Sequence, residues 1–339
     1  MYILMDTLYQ EKIGNTTRVK DMKKKLVWLT FDPFQKDQKL QVQALEVVFQ
    51  YAKRLNAQIE PVYFADRYRG KSSGSYLFPL FPEFESVSQD ELAEFAIGKW
   101  SELAKKVRIK TLPLRILTHK SGEAPSLELK AKSISSQAKR AGALFVALPT
   151  KATSGIKRFI LGSFAETFLL NSTMPTLMIP STTVLVAKPQ VVLFPSDLGP
   201  SSFLAFKRMC PIFKALKVKV ILCHCIEVPE SLLEMLSPNE RKKLNIKKII
   251  DQEALNLEDK VSDFNDLAKT FRIKLEFKVC TDYGYSNKSE AILDFSQDVG
   301  TDCIALVSQS GELKTSVVGA TSRSIVRGSK YPVLIHRIS

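Results

Sequence analysis

Leu161 to Pro180 reads LGSFAETFLLNSTMPTLMIP, and Val318 to Arg337 reads VGATSRSIVRGSKYPVLIHR. In each, a glycine opens a stretch of helical spacing and a proline thirteen positions later precedes a short apolar strand (Gly162 and Pro175, Gly319 and Pro332). Glycine permits the tight turn into a helix, and proline cannot continue one. The unit therefore reads as turn, helix, turn and strand, and its recurrence predicts two copies of one fold.

Outward from this unit, each copy alternates strand and helix. In the first, KLVWLTFD is a continuous apolar run suited to a parallel strand buried on both faces. A helix follows over Asp37 to Leu55, with Leu40, Ala44, Val47, Val48 and Tyr51 on one face. Then come AQIEPVYFA, whose Pro61 fits poorly inside a sheet, a helix near Ser88 to Val107, and LPLRILT. A helix over Pro125 to Ala141, the strand ALFVALP, the opening helix and PTLMIP complete the copy.

The second copy repeats the order. It runs VVLFPSD, a helix over Ser202 to Leu216, VKVILCHCI, a charged helix over Pro238 to Phe271, IKLEFKV, a helix over Ser289 to Val299, DCIALVS, a helix from Ala320, and PVLIHR. Such alternation implies a parallel sheet covered by helices on both faces. The expected division is an extension outside the fold over 1–21, poorly ordered, with domains at 22–183 and 184–339 joined near Pro180 to Gln190.

Composition narrows the setting. The 339 residues can bury two cores of ordinary size. Five cysteines, all in the second half and without CxxC spacing, argue for a reducing, cytoplasmic compartment. The most apolar stretch, Phe159 to Ala187, is interrupted by Glu166, Asn171, Pro175 and Pro180, so no membrane span is expected. Net charge is +14, of which +10 falls in 22–183 and +4 in 184–339. Charge alone does not select nucleic acid over acidic proteins or anionic lipid, and a nucleic-acid role would require an affinity that falls steeply with salt.

The segments VLFPSDLGPSS, AFKRMCPIFKALKVKVILCHCIE and SGIKRFILGSFAETFLLNSTMPTLMIP resemble the universal stress protein family in its tandem form. The resemblance runs from Leu26 to Arg337 and implies two doubly wound α/β domains, each of strand order 3-2-1-4-5, packed about a pseudo-twofold axis. In such an arrangement the chain supplies its own dimer partner, with a homodimer of whole chains left open. In members that bind ATP, an acidic residue after strand 1 meets the adenosine, and a glycine-rich loop after strand 4, ending in Gly-Ser or Gly-Thr, wraps the phosphates. Strands 1 and 4 flank the switch point where a doubly wound sheet opens its crevice.

Carried onto the first copy, the resemblance implies a cofactor site at Asp32, Gly162 and Ser163, with Thr150, Lys157 and Arg158 adding contacts and charge. Two glycine positions of the loop fall on Pro149 and Ala152, and Pro149 has no N–H to offer an anion. In the second copy the equivalents are Asp197 and Gly319, followed by Ala320 in place of a hydroxyl, and His224 matches a histidine common at the end of strand 2. Structural readings stand beside these. Ser163 and Glu166 have the spacing of a capping box, and an aspartate at a strand end often bonds its own turn.

Neither a metal site nor a catalytic one is expected. Cys223 and Cys225 lie on one face of a strand and His224 on the other, so the three cannot converge. Three histidines (His119, His224, His336) and no nucleophile or metal motif argue against an enzyme, and the resemblance then implies a non-enzymatic stress-response or regulatory protein, expected to have no bound cofactor. It would act through a protein partner or an apolar or anionic small ligand, with the aromatic connection Asp66 to Glu91 as a lid, a contact surface or a segment folded onto the core. The alternatives are ATP with Mg²⁺ in the first copy, and a weak ATPase.

Overall fold

A computed structural model describes residues 25–65, 89–118, 125–150, 163–227, 252, 255–282, 288–309 and 320–338. The first half contributes strands β1 (Lys25–Thr30), β2 (Ala57–Ala65), β3 (Arg115–Thr118), β4 (Ala143–Thr150) and β5 (Thr176–Pro180). Its helices are α1 (Gln38–Leu55), α2 (Gln89–Val107), α3 (Leu127–Ala141) and α4 (Ser163–Asn171). The second half contributes β6 (Val191–Pro195), β7 (Lys219–Glu227), β8 (Lys274–Asp282), β9 (Cys303–Gln309) and β10 (Val333–Ile338). With them come α5 (Pro200–Leu216), α6 (Glu258–Phe271), α7 (Lys288–Asp298) and α8 (Ala320–Gly328).

Local chemistry sets several of these boundaries. Asp37 caps α1 by accepting from the Lys39 N–H at 3.0 Å, and Asn56 ends the helix in the left-handed region at φ 51°. Ser126 caps α3 through the Leu129 N–H, and Gly142 closes it at φ 75°, where a side chain would be strained. Helix α5 begins two residues earlier than expected because Pro200 suits the first turn, where no N–H is needed. The expected helix over Pro238 to Phe271 is described from Glu258 onward as α6, and 228–251 lie outside the described residues.

All ten strands form one sheet, in the order β3-β2-β1-β4-β5-β10-β9-β6-β7-β8. Each half has the expected 3-2-1-4-5 order and is parallel throughout. The halves meet where β5 and β10 pair antiparallel, with Met178 opposite Val333, Leu177 opposite Leu334 and Thr176 opposite Ile335. Pro61 is tolerated inside β2 because its missing N–H faces the β3 side, and pairing with β3 starts only at Val62.

Successive strand residues feed two cores. Val27, Leu29, Phe145, Ala147, Leu177 and Ile179 pack with α1, α2, α5 and α6 on one face. Trp28, Val146, Leu148 and Met178 pack with α3, α4, α7 and α8 on the other. This two-sided burial explains why the strands read as unbroken apolar runs. Both cores draw on both halves, and further ties cross the seam. Glu166 of α4 pairs with Arg323 of α8 at 3.0 Å, and the Tyr51 side chain of α1 lies against the Cys303 thiol of β9. The connecting segment is itself held, with the Val184 N–H donating to Lys330 O at 3.0 Å and the Thr182 hydroxyl to Ser329 O at 3.2 Å.

Phe206, fully buried in the second half, has ring neighbours Phe194, Phe264 and Phe213 at 5.3, 5.4 and 6.0 Å. Both tryptophans, Trp28 and Trp100, belong to the first half. Phe206→Ala should cost about 3–5 kcal/mol. Because the cores are shared, tryptophan fluorescence should report that loss as an earlier urea transition; an unmoved tryptophan transition would mean that the halves unfold separately.

Candidate functional site

The carboxyl ends of β1 and β4 lie side by side, tied where the Thr30 hydroxyl donates to Ala147 O at 3.3 Å. Directly after β1, exposed Asp32 turns the chain. Its Oδ1 accepts from the Phe34 N–H at 3.0 Å, and its carbonyl accepts from the Gln35 N–H and the Gln41 side-chain amide. Thr150 ends β4 and is buried, and its carbonyl accepts from the Ser181 N–H at 3.0 Å. Pro149 beside it is paired with Ile179 of β5.

Ser163 is the first residue of α4, so the structure brings Asp32, Thr150 and Ser163 to the ends of neighbouring elements. Lys157, Arg158 and Gly162 lie outside the described residues, as do Gly319 and nearly all of the Asp66 to Glu91 connection. Glu166, the other member of the proposed capping box, directs a carboxylate oxygen to Arg323 across the seam.

The second crevice, between the ends of β6 and β9, is more tightly wired. The Ser196 N–H donates to Cys223 O at 2.8 Å, and its hydroxyl accepts from the Leu198 N–H at 2.9 Å. Leu198 adopts φ 58°, which reverses the chain and lets Asp197 Oδ1 accept from the Gly199 N–H at 2.9 Å and the Ser202 hydroxyl at 2.5 Å. A Cβ on Gly199 would stand 3.3 Å from that oxygen, so glycine permits the approach. Asp197 therefore ties the turn to α5. Both aspartates form the turn that their position at a strand end suggested.

His224 Nδ1 lies 3.0 Å from Ser196 O; a carbonyl only accepts, which puts the ring proton on Nδ1. On the opposite face, Cys223 and Cys225 meet Cys280, which stands in register with Cys225 on β8. Cys280's thiol is pushed up, first by its hydrogen bond with Cys223 and also by burial. Sequence spacing reveals this thiol contact only once the β7–β8 register is known. Among the described residues, no group of three or more His, Cys, Asp or Glu is arranged to hold a metal ion.

Beside the first crevice, exposed Phe34 stacks on Phe95 of α2 with ring centroids 5.4 Å apart, and Lys99 Nζ lies 5.8 Å from the Phe95 centroid. Neither ring belongs to a sequence motif. They form an apolar platform at the mouth of the crevice, next to the end of the aromatic connection at Gln89.

With this geometry in hand, comparison places part of the chain in a known family: residues 189–337 match the Universal stress protein family. Across both halves the fold is similar to that of a universal stress protein from Archaeoglobus fulgidus DSM 4304, with 16% identity, 92% of this chain and 98% of that chain covered, and a TM-score of 0.57. A universal stress protein from Lactobacillus plantarum is 19% identical over 45% of this chain and 100% of its own, TM-score 0.34. A universal stress protein solved in complex with cAMP is 20% identical over 45% of this chain and 99% of its own, TM-score 0.32. No curated protein matches the chain. Among the described residues, no helix is long and apolar enough to cross a membrane.

His119 lies outside the described residues, and His336 is buried in β10 with Nε2 3.2 Å from Arg208 Nη1. Arginine only donates, so His336 Nε2 accepts and the ring is neutral. Burial, helped by the Arg208 charge, pulls His336 down to about 4.

A lowered histidine pKa favours folding fully above about pH 6.5 and loses that contribution as pH falls through the folded value. Urea titrations at pH 7.5, 5.5 and 4.5 should therefore show a stability difference between wild type and His336→Gln that shrinks by roughly 2–3 kcal/mol toward acid pH. A constant difference would show that His336 does not titrate in this way. Separately, Asp197→Ala should cost about 1 kcal/mol in the same assay through loss of its turn.

Proposed function

We propose that the whole chain is a tandem universal stress protein, with domains at 22–183 and 184–339, that works by binding rather than catalysis and has lost ATP binding fully in the second crevice and partly in the first. The observation that carries this reading is Asp197, whose Oδ1 is engaged by both Gly199 and Ser202 within its own turn. Two features support it: α8 opens on Ala320, without the hydroxyl that the family places against phosphate, and Pro149 stands in β4 where an anion nest needs an N–H. Five buried free cysteines fit a cytoplasmic setting. The β5–β10 seam fits a chain that is its own pseudo-dimer.

The surface best suited to a partner or an apolar ligand is the Phe34–Phe95 platform. Stacked exposed rings beside a crevice are a usual anchor for such contacts. A second reading keeps ATP with Mg²⁺ in the first domain. It is favoured by Asp32 and Thr150 on adjacent strand ends with Ser163 opening α4, and Lys157, Arg158 and Gly162 would complete that site.

The test is to denature freshly purified full-length protein, identify released small molecules, and then titrate the protein with ATP and Mg²⁺, and with cAMP. The expected result is no adenine nucleotide and no saturable heat with either. Close to one nucleotide per chain, lost in Asp32→Ala, would overturn the proposal and place a working site in the first domain. Release of ADP over time in the presence of Mg²⁺ would establish the ATPase instead.

A further inference from the structure

The crevices open at the carboxyl ends of the strands. At the opposite, amino edge of the second-half sheet lies a groove of about 370 Å³ lined by Arg54, Lys214, Lys217, Lys219, Arg272 and Lys274. Its geometry follows from chain reversals. Helix α5 ends at Lys217 and α6 at Arg272, both left-handed (φ 53° and 57°), and each feeds a strand, β7 or β8, whose first residue is lysine. Helix α1 brings Arg54 from the other half, and its Nη2 donates to Lys217 O at 3.3 Å. Phe213, Val218 and Ile273 line the same groove and are buried.

Basic residues in a last helical turn often answer the helix dipole, which accounts for Arg54 and Lys214. It does not account for Lys219 and Lys274, which stand on strands. Acidic groups near the groove are already engaged. Glu276 pairs with Lys219 and with Lys278, and Asp302 Oδ2 accepts from the Gln190 and Val191 N–H groups at 2.7 and 2.9 Å. Among the described residues, Lys214, Lys217, Arg272 and Lys274 have no carboxylate partner within salt-bridge distance. The Arg54 Nε–H is buried without an acceptor. With Arg54, which likewise has no carboxylate within that distance among the described residues, these make five cations and one unused buried donor, which repel one another unless an anion bridges them.

We propose that this groove binds a small polyanion bearing at least two linked phosphate groups, with Lys217, Arg272 and Lys274 meeting the phosphate oxygens and Arg54 adding a donor from the first half. A single phosphate reaches too few of these cations, whereas a linked chain spans the groove. The site is separate from the crevices and independent of whether they bind ATP.

The test is calorimetric titration of the full chain with inorganic tripolyphosphate, with orthophosphate, sulfate and a single-stranded DNA 12-mer as comparisons, at two salt concentrations. One tripolyphosphate per chain is expected, bound more weakly at the higher salt and at least about tenfold more tightly than orthophosphate or sulfate. The double variant Lys217→Glu/Lys274→Glu should weaken tripolyphosphate at least about tenfold. Lys105→Glu/Lys106→Glu on α2, which changes net charge equally at two exposed residues that do not line the groove, should leave it unchanged. Equal loss in both variants would reduce the effect to overall charge and overturn the proposal. Absence of tripolyphosphate binding, or binding of the DNA alone, would also overturn it, the latter by making the groove a nucleic-acid surface. Competition by ATP without Mg²⁺ that is lost in Lys217→Glu/Lys274→Glu but retained in Asp32→Ala would support the site and extend its ligands from inorganic to nucleotide oligophosphates.

Discussion

The architecture depends on a short antiparallel ladder. Where β5 and β10 meet, Leu177 faces Leu334 and two five-stranded sheets become one. An edge strand left alone presents unpaired N–H and C=O groups, and each half here satisfies the other's. The pairing also aligns the faces of the two sheets, so α1 and α5 share one core while α4 and α8 approach closely enough for Glu166 to reach Arg323. Without that ladder, the Tyr51–Cys303 contact and the anchoring of Thr182 and Val184 would have no reason to form.

Because the halves are related in this way, their differences are informative. The two crevices occupy equivalent places, yet Asp197 is bound by two donors and buttressed by Ser196 and His224, whereas the Asp32 turn uses backbone donors and the Gln41 amide. Among the described residues, an exposed stacked aromatic pair, Phe34 and Phe95, stands beside the first crevice. A duplicated fold has thus been specialised at the loops while the strands retained a common pattern, as expected where loops carry function on a rigid scaffold.

Much of the fold was legible from the sequence because burial on both faces imposes it locally. Apolar runs such as KLVWLTFD and VVLFPSD, and the paired units at Gly162 and Gly319, specify alternating strands and helices without reference to distant residues. The capping role of Asp37 and the turn role of Asp197 were also within reach, since an aspartate and its partner are neighbours in sequence. What escaped was whatever required register or assembly. That Cys280 meets Cys223 and Cys225 follows from a β7–β8 pairing which side-chain periodicity does not set. That β5 pairs with β10 follows from the meeting of two edges. The basic groove was hidden most completely: its residues are scattered from Arg54 to Lys274, and singly each resembles an ordinary solvated lysine or arginine.

The closed seam also determines where the sheet can no longer grow. Its terminal strands are β3, only four residues long, and β8, whose Lys274, Glu276 and Lys278 place alternating charges along one face. A brief strand and a charged one are both poor templates for a newcomer, since a docking strand would have to strip water from those charges or find too few partners. Among the described residues, the β5–β10 pairing has thus consumed the two strand edges better suited to self-association, so that joining two halves within one chain acts as a stop against fibre-like growth.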